Sequence, residues 1–407
     1  MILHLLLSDK IVLTLFAGCI LAFFYIRAQP HYAKPWEKVF RNSIATMMAV
    51  TLSVYAVIGL LDCIHFQHGT QLTSVLDILI TPLNSHDEKT YSAPFSVFFN
   101  GEQTISISTL IVKGALTGII SFAPLAAVMI YFFKKSTSLI AWKTGLITAG
   151  ILWMLMITTT FLAQHYHVFG TNQIGQDMFY QTLKSVRTGL LIGTLTTLFT
   201  LPFALFFGLI AGYFGGIVDD VIQYLYTTLS AIPGVLLIAA AVLMIEVIIT
   251  NHPNTFPTNA DRADTRLLAL CAILGITGWA GLCRYLRAET LKLREQDFVT
   301  ASITMGASKL SIILRHVLPN VMHIVIITLV LDFSGLVLAE AVLAYVGVGV
   351  DPTTPSWGNM INTSRLELAR DPVVWWPLCA ALVLMFFLVL AANIFADSVR
   401  DAFDPKQ

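Results

Sequence analysis

The stretch TASITMGASKLSIILRHVLPN, residues 300–320, is polar and punctuated by a glycine in a chain that is otherwise strongly apolar. Gly306 offers the left-handed backbone conformation at which helices commonly end, and Ser308 is a good N-cap for a second helix. Pro319 predicts where that second helix ends, because proline interrupts the helical hydrogen-bond ladder. The pattern therefore predicts two short surface helices that are joined at Gly306.

The second of these predicted helices has two unlike faces. One face is an apolar stripe at helical spacing, made of Leu310, Ile313, Leu314 and Val317. The other face is polar and carries Lys309, Ser311, Arg315 and His316. Such a helix either lies on lipid headgroups or enters a groove on a partner protein, and the amphipathic pattern alone does not separate the two.

The composition of the whole chain indicates a membrane protein. Of its 407 residues, 56% are hydrophobic and only 12% are charged, whereas soluble domains carry about 25% charged residues. Basic and acidic residues balance at 24 each, so the net charge gives no indication of a nucleic-acid partner. The cysteines and histidines show no metal-binding spacing, and we expect no metal site.

Hydropathy predicts nine membrane spans, because a bilayer core about 30 Å thick requires roughly 20 apolar residues per helix. They lie at about 7–26, 43–63, 110–133, 145–163, 188–212, 221–250, 267–286, 322–347 and 374–396. Pro233 predicts a tilt or a break in the sixth span. The long segment 64–109 contains short β-prone runs and predicts a small external subdomain.

The distribution of lysine and arginine predicts the orientation of these spans. Fifteen of the 24 basic residues fall in alternate segments that include 284–316 and the C-terminal segment 397–407. We therefore expect the 300–320 stretch and the C-terminus in the cytoplasm. The N-terminus and the loop 64–109 are then expected outside.

The 300–320 stretch resembles a cytoplasmic loop of the permease subunits of ABC importers, whose pattern is Glu-Ala-Ala-x3-Gly-x9-Ile-x-Leu-Pro. The residues at those spacings here are Thr300, Ala301, Ser302, Gly306, His316, Leu318 and Pro319. The sequence of this stretch is most similar to the second, C-type permease of the oligopeptide, dipeptide and nickel class. Thr300 stands in place of the glutamate, which weakens any expectation of a single anchoring ion pair there.

Other segments resemble the same class in the same order. They are FGTNQIGQDMFYQTLKSVRTGLLIG (169–193), GLIAGYFGGIVDD (208–220), SAIPGVLL (230–237), LAEAVLAYVGVGVDPTTPSWGNMI (338–361) and NIFADSVRDAFDP (393–405). Asn172 and Gln176 stand where the class has Asp and Arg. The resemblance implies an all-α integral membrane protein with a six-span permease core at 141–407 and coupling helices at 296–319. An N-terminal extension at 1–140 would add about three spans.

The resemblance also implies a function, that of a permease subunit in an ATP-driven importer of the bacterial cytoplasmic (inner) membrane, with peptides as the expected cargo. The implied partners are a second permease, two ATP-binding subunits, an extracytoplasmic solute-binding protein and membrane lipid. No G-x-x-x-x-G-K-[ST] phosphate loop occurs here, so ATP and magnesium are expected in the partner subunits. The implied coupling residues are Thr300, Ala301, Ser302, Gly306, Ala307, Ser308, Arg315, His316, Leu318 and Pro319.

Two acidic residues in the predicted span 322–347 are candidates for the translocation path. A carboxylate inside a membrane usually faces the bundle or a water-filled cavity, and Asp332 and Glu340 are eight residues apart on one helix. For each, the alternative is a structural role, as a hydrogen-bonded or paired group. Trp357 and Gly358 are expected on the last external loop, where they either contact the binding protein or belong to an interfacial aromatic belt.

Two other classes of protein fit the composition less well. A secondary transporter would show paired halves with interrupted helices, and no such internal symmetry is visible; proton-coupled uptake through Asp332 and Glu340 is the alternative function. A membrane-embedded enzyme would need a catalytic motif, and neither H-E-x-x-H nor G-x-S-x-G occurs. We therefore expect a transport subunit without catalytic residues of its own.

Overall fold

The computed structural model describes residues 2–28, 30–68, 71–80, 89–98, 105–133, 139–252 and 258–403. The helices are α1 (Leu7–Ala28), α2 (Pro30–Arg41), α3 (Ser43–Asp62), α4 (Val75–Leu79), α5 (Ile107–Phe133), α6 (Leu139–Ala163), α7 (Met178–Phe214), α8 (Gly216–Ala231), α9 (Gly234–Asn251), α10 (Asn259–Gly278), α11 (Ala280–Arg294), α12 (Asp297–Thr304), α13 (Lys309–Ile312), α14 (Leu318–Val346), α15 (Trp357–Glu367) and α16 (Trp376–Phe403). The strands are β1 (Ile2–Leu3), β2 (His65–His68), β3 (Gln71–Ser74), β4 (Ser96–Val97) and β5 (Tyr166–His167). An all-α membrane protein was expected, and the structure has that character.

Within the described residues, 8 helical stretches are long and apolar enough to cross a membrane. They are Ser43–Asp62, Ile107–Val128, Ala141–Ala163, Met178–Phe214, Gly234–Asn251, Asn259–Arg294, Lys309–Val346 and Trp376–Phe403. Each coincides with a predicted span. The remaining predicted span, 7–26, falls on α1, and that this helix crosses the bilayer stays a prediction.

The sixth predicted span is broken at Pro233, one of the two outcomes expected there. Ile232 adopts an extended backbone (φ −81°, ψ 130°) and Pro233 caps α9, because a residue before proline is disfavoured in the helical region. The part that meets the length and hydropathy of a span is Gly234–Asn251 alone. The amphipathic helix α8 precedes it.

The predicted helix end at Pro319 is wrong. The chain continues as helix from Lys309 to Val346, through a single π-helical turn at Ile313–Val317 in which the Leu318 N–H donates to the Ile313 carbonyl. In a regular α-helix the proline ring would clash with the carbonyl four residues earlier. The wider π turn removes that clash, so the second of the predicted surface helices and the following span form one continuous helical segment.

The chain packs as two units. One comprises Met1–Leu190 with Glu340–Ala402, and the other comprises Leu191–Ala339 with Phe403–Gln407. In the first unit, β2 pairs antiparallel with β1 and β3, and β4 pairs with β5. Strands β2, β3 and β4 lie in the predicted external loop 64–109, whereas their partners β1 and β5 lie outside it. Residues 69–70, 81–88 and 99–104 of this loop are outside the described residues.

The second unit has an apolar core that supports the 297–317 segment. Val299, Ile312, Ile313 and Val317 are buried there together with Leu286 of α11. Gly208 and Gly212 of α7 allow close helix packing, because a Cβ at Gly212 would lie 2.8 Å from the Arg287 carbonyl oxygen. Small residues four apart let helix backbones approach in this way.

Candidate functional site

The coupling segment turns at Gly306 as predicted. Gly306 has φ +80°, and its N–H donates to the Ile303 carbonyl, while the Ala307 N–H donates to the Ser302 carbonyl. These bonds close the last turn of α12 in the manner of a left-handed helix end. The Ser308 side chain then accepts the Ser311 N–H and caps α13, so the first helix ends and the second begins at the predicted residues.

The segment buries one face and exposes the other. Ser302 and Val317 are buried, and Leu318 and His316 are half-buried. The remaining predicted coupling residues are exposed: Thr300, Ala301, Gly306, Ala307, Ser308, Arg315 and Pro319. Apolar side chains are exposed beside them, with Met305 at 79% and Leu310 at 66%.

The predicted apolar stripe of α13 is therefore only partly right. Ile313 and Val317 are buried as expected, but Leu310 and Leu314 are exposed. The π turn is the physical reason, since its hydrogen bonds join residues five apart instead of four apart. The inward face thereby shifts to include Ile312. The outward face of the segment thus mixes apolar and polar groups.

Charged and aromatic contacts brace the coupling segment against the rest of its unit. The Arg287 guanidinium binds both carboxylate oxygens of Asp219, with Nη2–Oδ2 at 2.6 Å. This hydrogen bonding from Arg287 lowers the pKa of Asp219 below its ordinary value. The ammonium of Lys309 lies 5.4 Å from the centre of the Phe214 ring. The bracing ties α8 to α11 and the start of α13 to the end of α7.

The Asp219–Arg287 pair was not predicted from the sequence. The two residues are 68 positions apart, and neither stands in a motif that fixes a partner. A signal was present only in the Asp-Asp dipeptide at 219–220, which carries acidic charge next to a helix N-terminus. Long-range pairing of this kind is decided by packing, not by local spacing.

The two candidate acids of α14 have different surroundings. Asp332 is exposed and makes no hydrogen bond or ion pair with the described residues. Glu340 is only 3% exposed, and its carboxylate lies beside the Ser356 side chain and the Gly358 N–H, while its Oε1 atom has no hydrogen-bond partner among the described residues. Glu340 thus lies against the N-terminus of α15, where unpaired N–H groups favour an anion. This geometry is the structural alternative considered for Glu340.

Trp357 and Gly358 lie in the interior of the first unit. Trp357 is 1% exposed, and its indole N–H donates to the Thr182 carbonyl at 3.2 Å. A Cβ at Gly358 would lie 2.6 Å from Oε1 of Glu340. The expectation that these residues contact an external protein is not supported by this burial, which instead assigns them to packing of α15 on α7 and α14.

The Asn172–Gln176 departure from the resembled pattern has a local explanation. Asn172 Nδ2 donates to Gln176 Oε1 at 3.1 Å, and Asn172 Oδ1 accepts the Gln176 N–H. A neutral amide pair therefore closes the turn at positions where the class has an aspartate and an arginine. Across the described part of the chain, no group of three or more His, Cys, Asp or Glu side chains is placed to hold a metal ion.

Comparisons with known proteins find a family match that includes the predicted coupling segment, residues 296–319. A family model described as "Binding-protein-dependent transport system inner membrane component" matches residues 204–407. The chain is similar to the "Oligopeptide transport system permease protein OppC" of Mycobacterium tuberculosis, with 35% identity over 59% of this chain and 76% of that protein. It is also similar to the OppC protein of Bacillus subtilis, with 29% identity over 59% of this chain and 72% of that protein. The "Dipeptide transport system permease protein DppC" of Lactococcus lactis shares 29% identity over 59% of this chain and 64% of that protein.

Proposed function

This chain belongs to the family of binding-protein-dependent transport system inner membrane components, and from that premise we propose that it carries peptides into the cell as half of a translocation pathway. The family makes it a multi-pass permease subunit of an ABC transporter in the inner membrane, and not an enzyme. The peptide cargo rests on the names of the relatives, which are oligopeptide and dipeptide permeases. The similarity gives no support to a proton-coupled carrier built on Asp332 and Glu340.

The proposed coupling site is the outward face of residues 296–319. The observation that carries it is the contrast between an exposed hinge at Gly306, which has no heavy atom within 4 Å of a Cβ placed there, and the buried face that includes Val299 and Val317. A partner can reach the hinge without displacing the core. The exposed apolar side chains next to it fit a groove on a protein partner, and membership of the transport-system family favours docking over an interfacial helix.

The path of mechanical coupling follows from helix continuity. Residues Lys309–Val346 form one helical stretch, so a push on α13 is carried directly into the span α14. On the other side of Gly306, α12 follows α11 after only two residues, and the Asp219–Arg287 pair joins α11 to α8. ATPase closure would thereby move both flanking spans, which is the bistable element that coupling requires.

Asp332 is proposed to line the translocation path. It lies inside the stretch Lys309–Val346 and is exposed, and a carboxylate at membrane depth is costly unless it faces water or a polar partner. Glu340 is not proposed for this role, because its carboxylate is buried against the start of α15 beside Gly358. The two acids of α14 thus have separate functions.

The assembly and orientation are proposed from the same premise. We expect a second permease, two ATP-binding subunits that bind ATP and magnesium, an extracytoplasmic solute-binding protein and surrounding lipid. The coupling segment and the C-terminus would be cytoplasmic and the N-terminus external, as the distribution of basic residues indicates. The core would comprise 141–407, and 1–140 would form an N-terminal extension.

Substitution of Gly306 by valine tests the coupling role. A non-glycine residue at φ +80° costs roughly 1–2 kcal/mol in backbone strain, and the strain is confined to the hinge since no neighbour is crowded. ATP-dependent uptake of a labelled tripeptide into vesicles that contain the full complex should fall severalfold. The amount of inserted permease should stay unchanged.

The matched control is Gly281→Val, at a glycine of α11 that also has open space around it but a backbone conformation that other residues adopt. It should leave uptake nearly intact. Full uptake by Gly306→Val would refute the coupling role. Equal losses in both variants would show that the hinge conformation has no special importance.

A further inference from the structure

The beginning of α7 carries a polar stripe that the permease function does not use. Tyr180, Lys184 and Arg187 recur at intervals of four and three residues, so their side chains lie on one face of the helix. Lys184 and Arg187 expose only 16% and 11% of their side chains. Two buried cations in the first turns of an apolar helix require partners, because an unpaired charge away from water is strongly unfavourable.

Three aspartates from three separate segments of the N-terminal region supply those partners. Asp9 of α1 accepts from Arg187 Nη2 at 2.6 Å. Asp77 of α4 lies 2.9 Å from Lys184 Nζ and also accepts from the Tyr180 hydroxyl at 2.7 Å. Lys184 lies in addition 3.7 Å from Asp62, the last residue of α3.

The aspartates are themselves held in place. Asp77 closes a capping box with Ser74, in which each side chain binds the backbone N–H of the other residue. Asp9 is fully buried, and its Oδ2 lies 3.1 Å from Nδ1 of His65 in β2. The burial raises and the Lys184 ammonium lowers the pKa of Asp77, with a net lowering that keeps this carboxylate charged. Each acid thus meets α7 from a rigid position.

We propose that Tyr180, Lys184 and Arg187 form a docking stripe whose partner is the N-terminal region of the same chain, bound through Asp9, Asp62 and Asp77. The stripe fixes the start of α7, a long helix of the family-like core, to α1, α3 and α4. The N-terminal region is thereby an integral scaffold of this permease and not a freely attached appendage. Three converging acids against two cations and a histidine make the contact specific for this region, since lipid tails offer no such partner.

If these ion pairs hold the contact, single and double substitutions should differ in a way that apolar packing would not produce. Removal of one partner of a buried ion pair leaves an uncompensated charge and is strongly destabilising, whereas removal of both partners is close to neutral. Arg187→Met should therefore open the contact. Asp9→Asn combined with Arg187→Met should close it again to a large extent, and Arg187→Lys should retain it.

Cys63 provides a local reporter for this contact. It follows Asp62 directly and is buried with 3% exposure, within reach of the charges of Asp9 and Arg187. Cys271 and Cys283 are buried in the other unit and report any global unfolding. The full-length permease in membranes is treated with a small maleimide, and labelling of each cysteine is followed by peptide mass spectrometry.

Arg187→Met is expected to raise the rate of Cys63 labelling by about tenfold or more, with Cys271 and Cys283 still protected. The double variant should return Cys63 labelling close to that of the parent chain, as should Arg187→Lys. Lys292→Met is the control, because it removes one cation from an exposed ion pair with Glu289 and should change no labelling rate.

Two results would overturn the docking stripe. One is continued protection of Cys63 in both Arg187→Met and Lys184→Met, which would mean that apolar packing alone holds the N-terminal region. The other is equal labelling of Cys63, Cys271 and Cys283 in the single variants without recovery in the double variant. That result would assign the charges to global folding instead of to a local contact.

Discussion

The proposed coupling segment of the second unit and the α15 region of the first unit both resemble the same permease class in sequence. They differ in exposure, because the coupling segment presents its side chains to the outside and the α15 region buries them. Around Gly306 the polar and apolar side chains point outward, and Arg315 makes no hydrogen bond or ion pair with the described residues. Around Trp357 and Gly358 the side chains are enclosed, and the buried Glu340 lies against the N-terminus of α15. Similar sequence signals thus fall on one exposed surface, which we propose as a docking site, and on one internal joint.

The difference shows which observation separates a partner site from a structural site in this chain. A residue that matches a family motif and is buried with its polar atoms occupied, such as Trp357, acts on the fold. A residue that matches and is exposed on a well-anchored backbone, such as Ser308 or Arg315, is available to a partner. Substitutions in the two regions should accordingly affect stability in one and assembly in the other.

The largest expected effect is that of Trp357→Ala. The indole is 1% exposed, packs on Gly189 of α7 and donates to the Thr182 carbonyl, so its loss leaves a cavity and removes a buried hydrogen bond. Truncation of a buried tryptophan costs about 3–5 kcal/mol of unfolding free energy. Thermal unfolding of the purified permease in detergent would measure the loss.

Trp375→Ala is the matched control for that prediction, since Trp375 is 51% exposed in the same unit. Its midpoint should stay near that of the parent chain. Equal shifts for the two tryptophans would contradict an internal role for Trp357. A stable Trp357→Ala chain that fails only to bind the solute-binding protein would restore the external-contact interpretation.

A smaller loss is expected from Gly358→Ala. The added methyl group would lie 2.6 Å from Glu340 Oε1 and 2.7 Å from Ala344 Cβ, so α15 must shift away from α14. Overpacking of this kind costs typically about 1–3 kcal/mol. The control is Gly335→Ala, at a glycine of α14 with open space around it, and it should be neutral or slightly stabilising. A lower thermal-unfolding midpoint for Gly335→Ala than for Gly358→Ala would disprove tight packing of α15 on α14.

Much of the fold could be predicted from the sequence, because the length and hydropathy of a span are local properties. Eight predicted spans have matching helices, and the break at Pro233 follows from the geometry of the residue before proline. The helix end at Pro319 was wrong, since a π turn accommodates the ring. Residue types near a proline do not by themselves predict a π turn.

Some features of the candidate site could likewise be predicted from the sequence, and others could not. Gly306 and Ser308 were predictable, because helix ends and N-caps depend on the residue type at one position. The buried state of Trp357 was not, since a tryptophan among turn residues reads as exposed. The Asp219–Arg287 pair and the stripe at Tyr180, Lys184 and Arg187 join residues between 68 and 178 positions apart, and only the packed chain brings them together.

The stability of the α15 region should depend on pH through Glu367, the last residue of α15. Burial raises the pKa of Glu367 above its ordinary value, and the nearby Arg370 only partly opposes this. A raised folded pKa means stability that is complete below the ordinary value of 4.5 and is lost as the pH rises through the folded pKa. Glu367→Gln should therefore stabilise the chain at pH 7, by less than about 2 kcal/mol, and have little effect near pH 4.

Asp219→Asn should show the opposite sign in the coupling unit. Arg287 lowers the pKa of Asp219, so the pair contributes stability above the ordinary pKa, and this is lost as the pH falls through the lowered folded value. The substitution should destabilise at pH 7 and converge with the parent chain at strongly acidic pH. Unfolding midpoints across pH 3–8 would measure both variants, and slopes of the same sign would refute the contrast.

The smallest effect on stability, and the most direct test of the exposed surface, is expected from Arg315→Ala. Arg315 is exposed, and surface substitutions usually change the unfolding free energy by within about 0.5 kcal/mol. A hydrogen bond from a charged group to a partner is worth about 1.5–3 kcal/mol, so affinity for the ATP-binding subunits should fall about tenfold or more. Binding of those subunits to the permease in nanodiscs would measure it, with Lys292→Ala as the control because Lys292 is 70% exposed outside the coupling segment. Unchanged affinity in Arg315→Ala, or an equal loss in Lys292→Ala, would remove Arg315 from the proposed docking face.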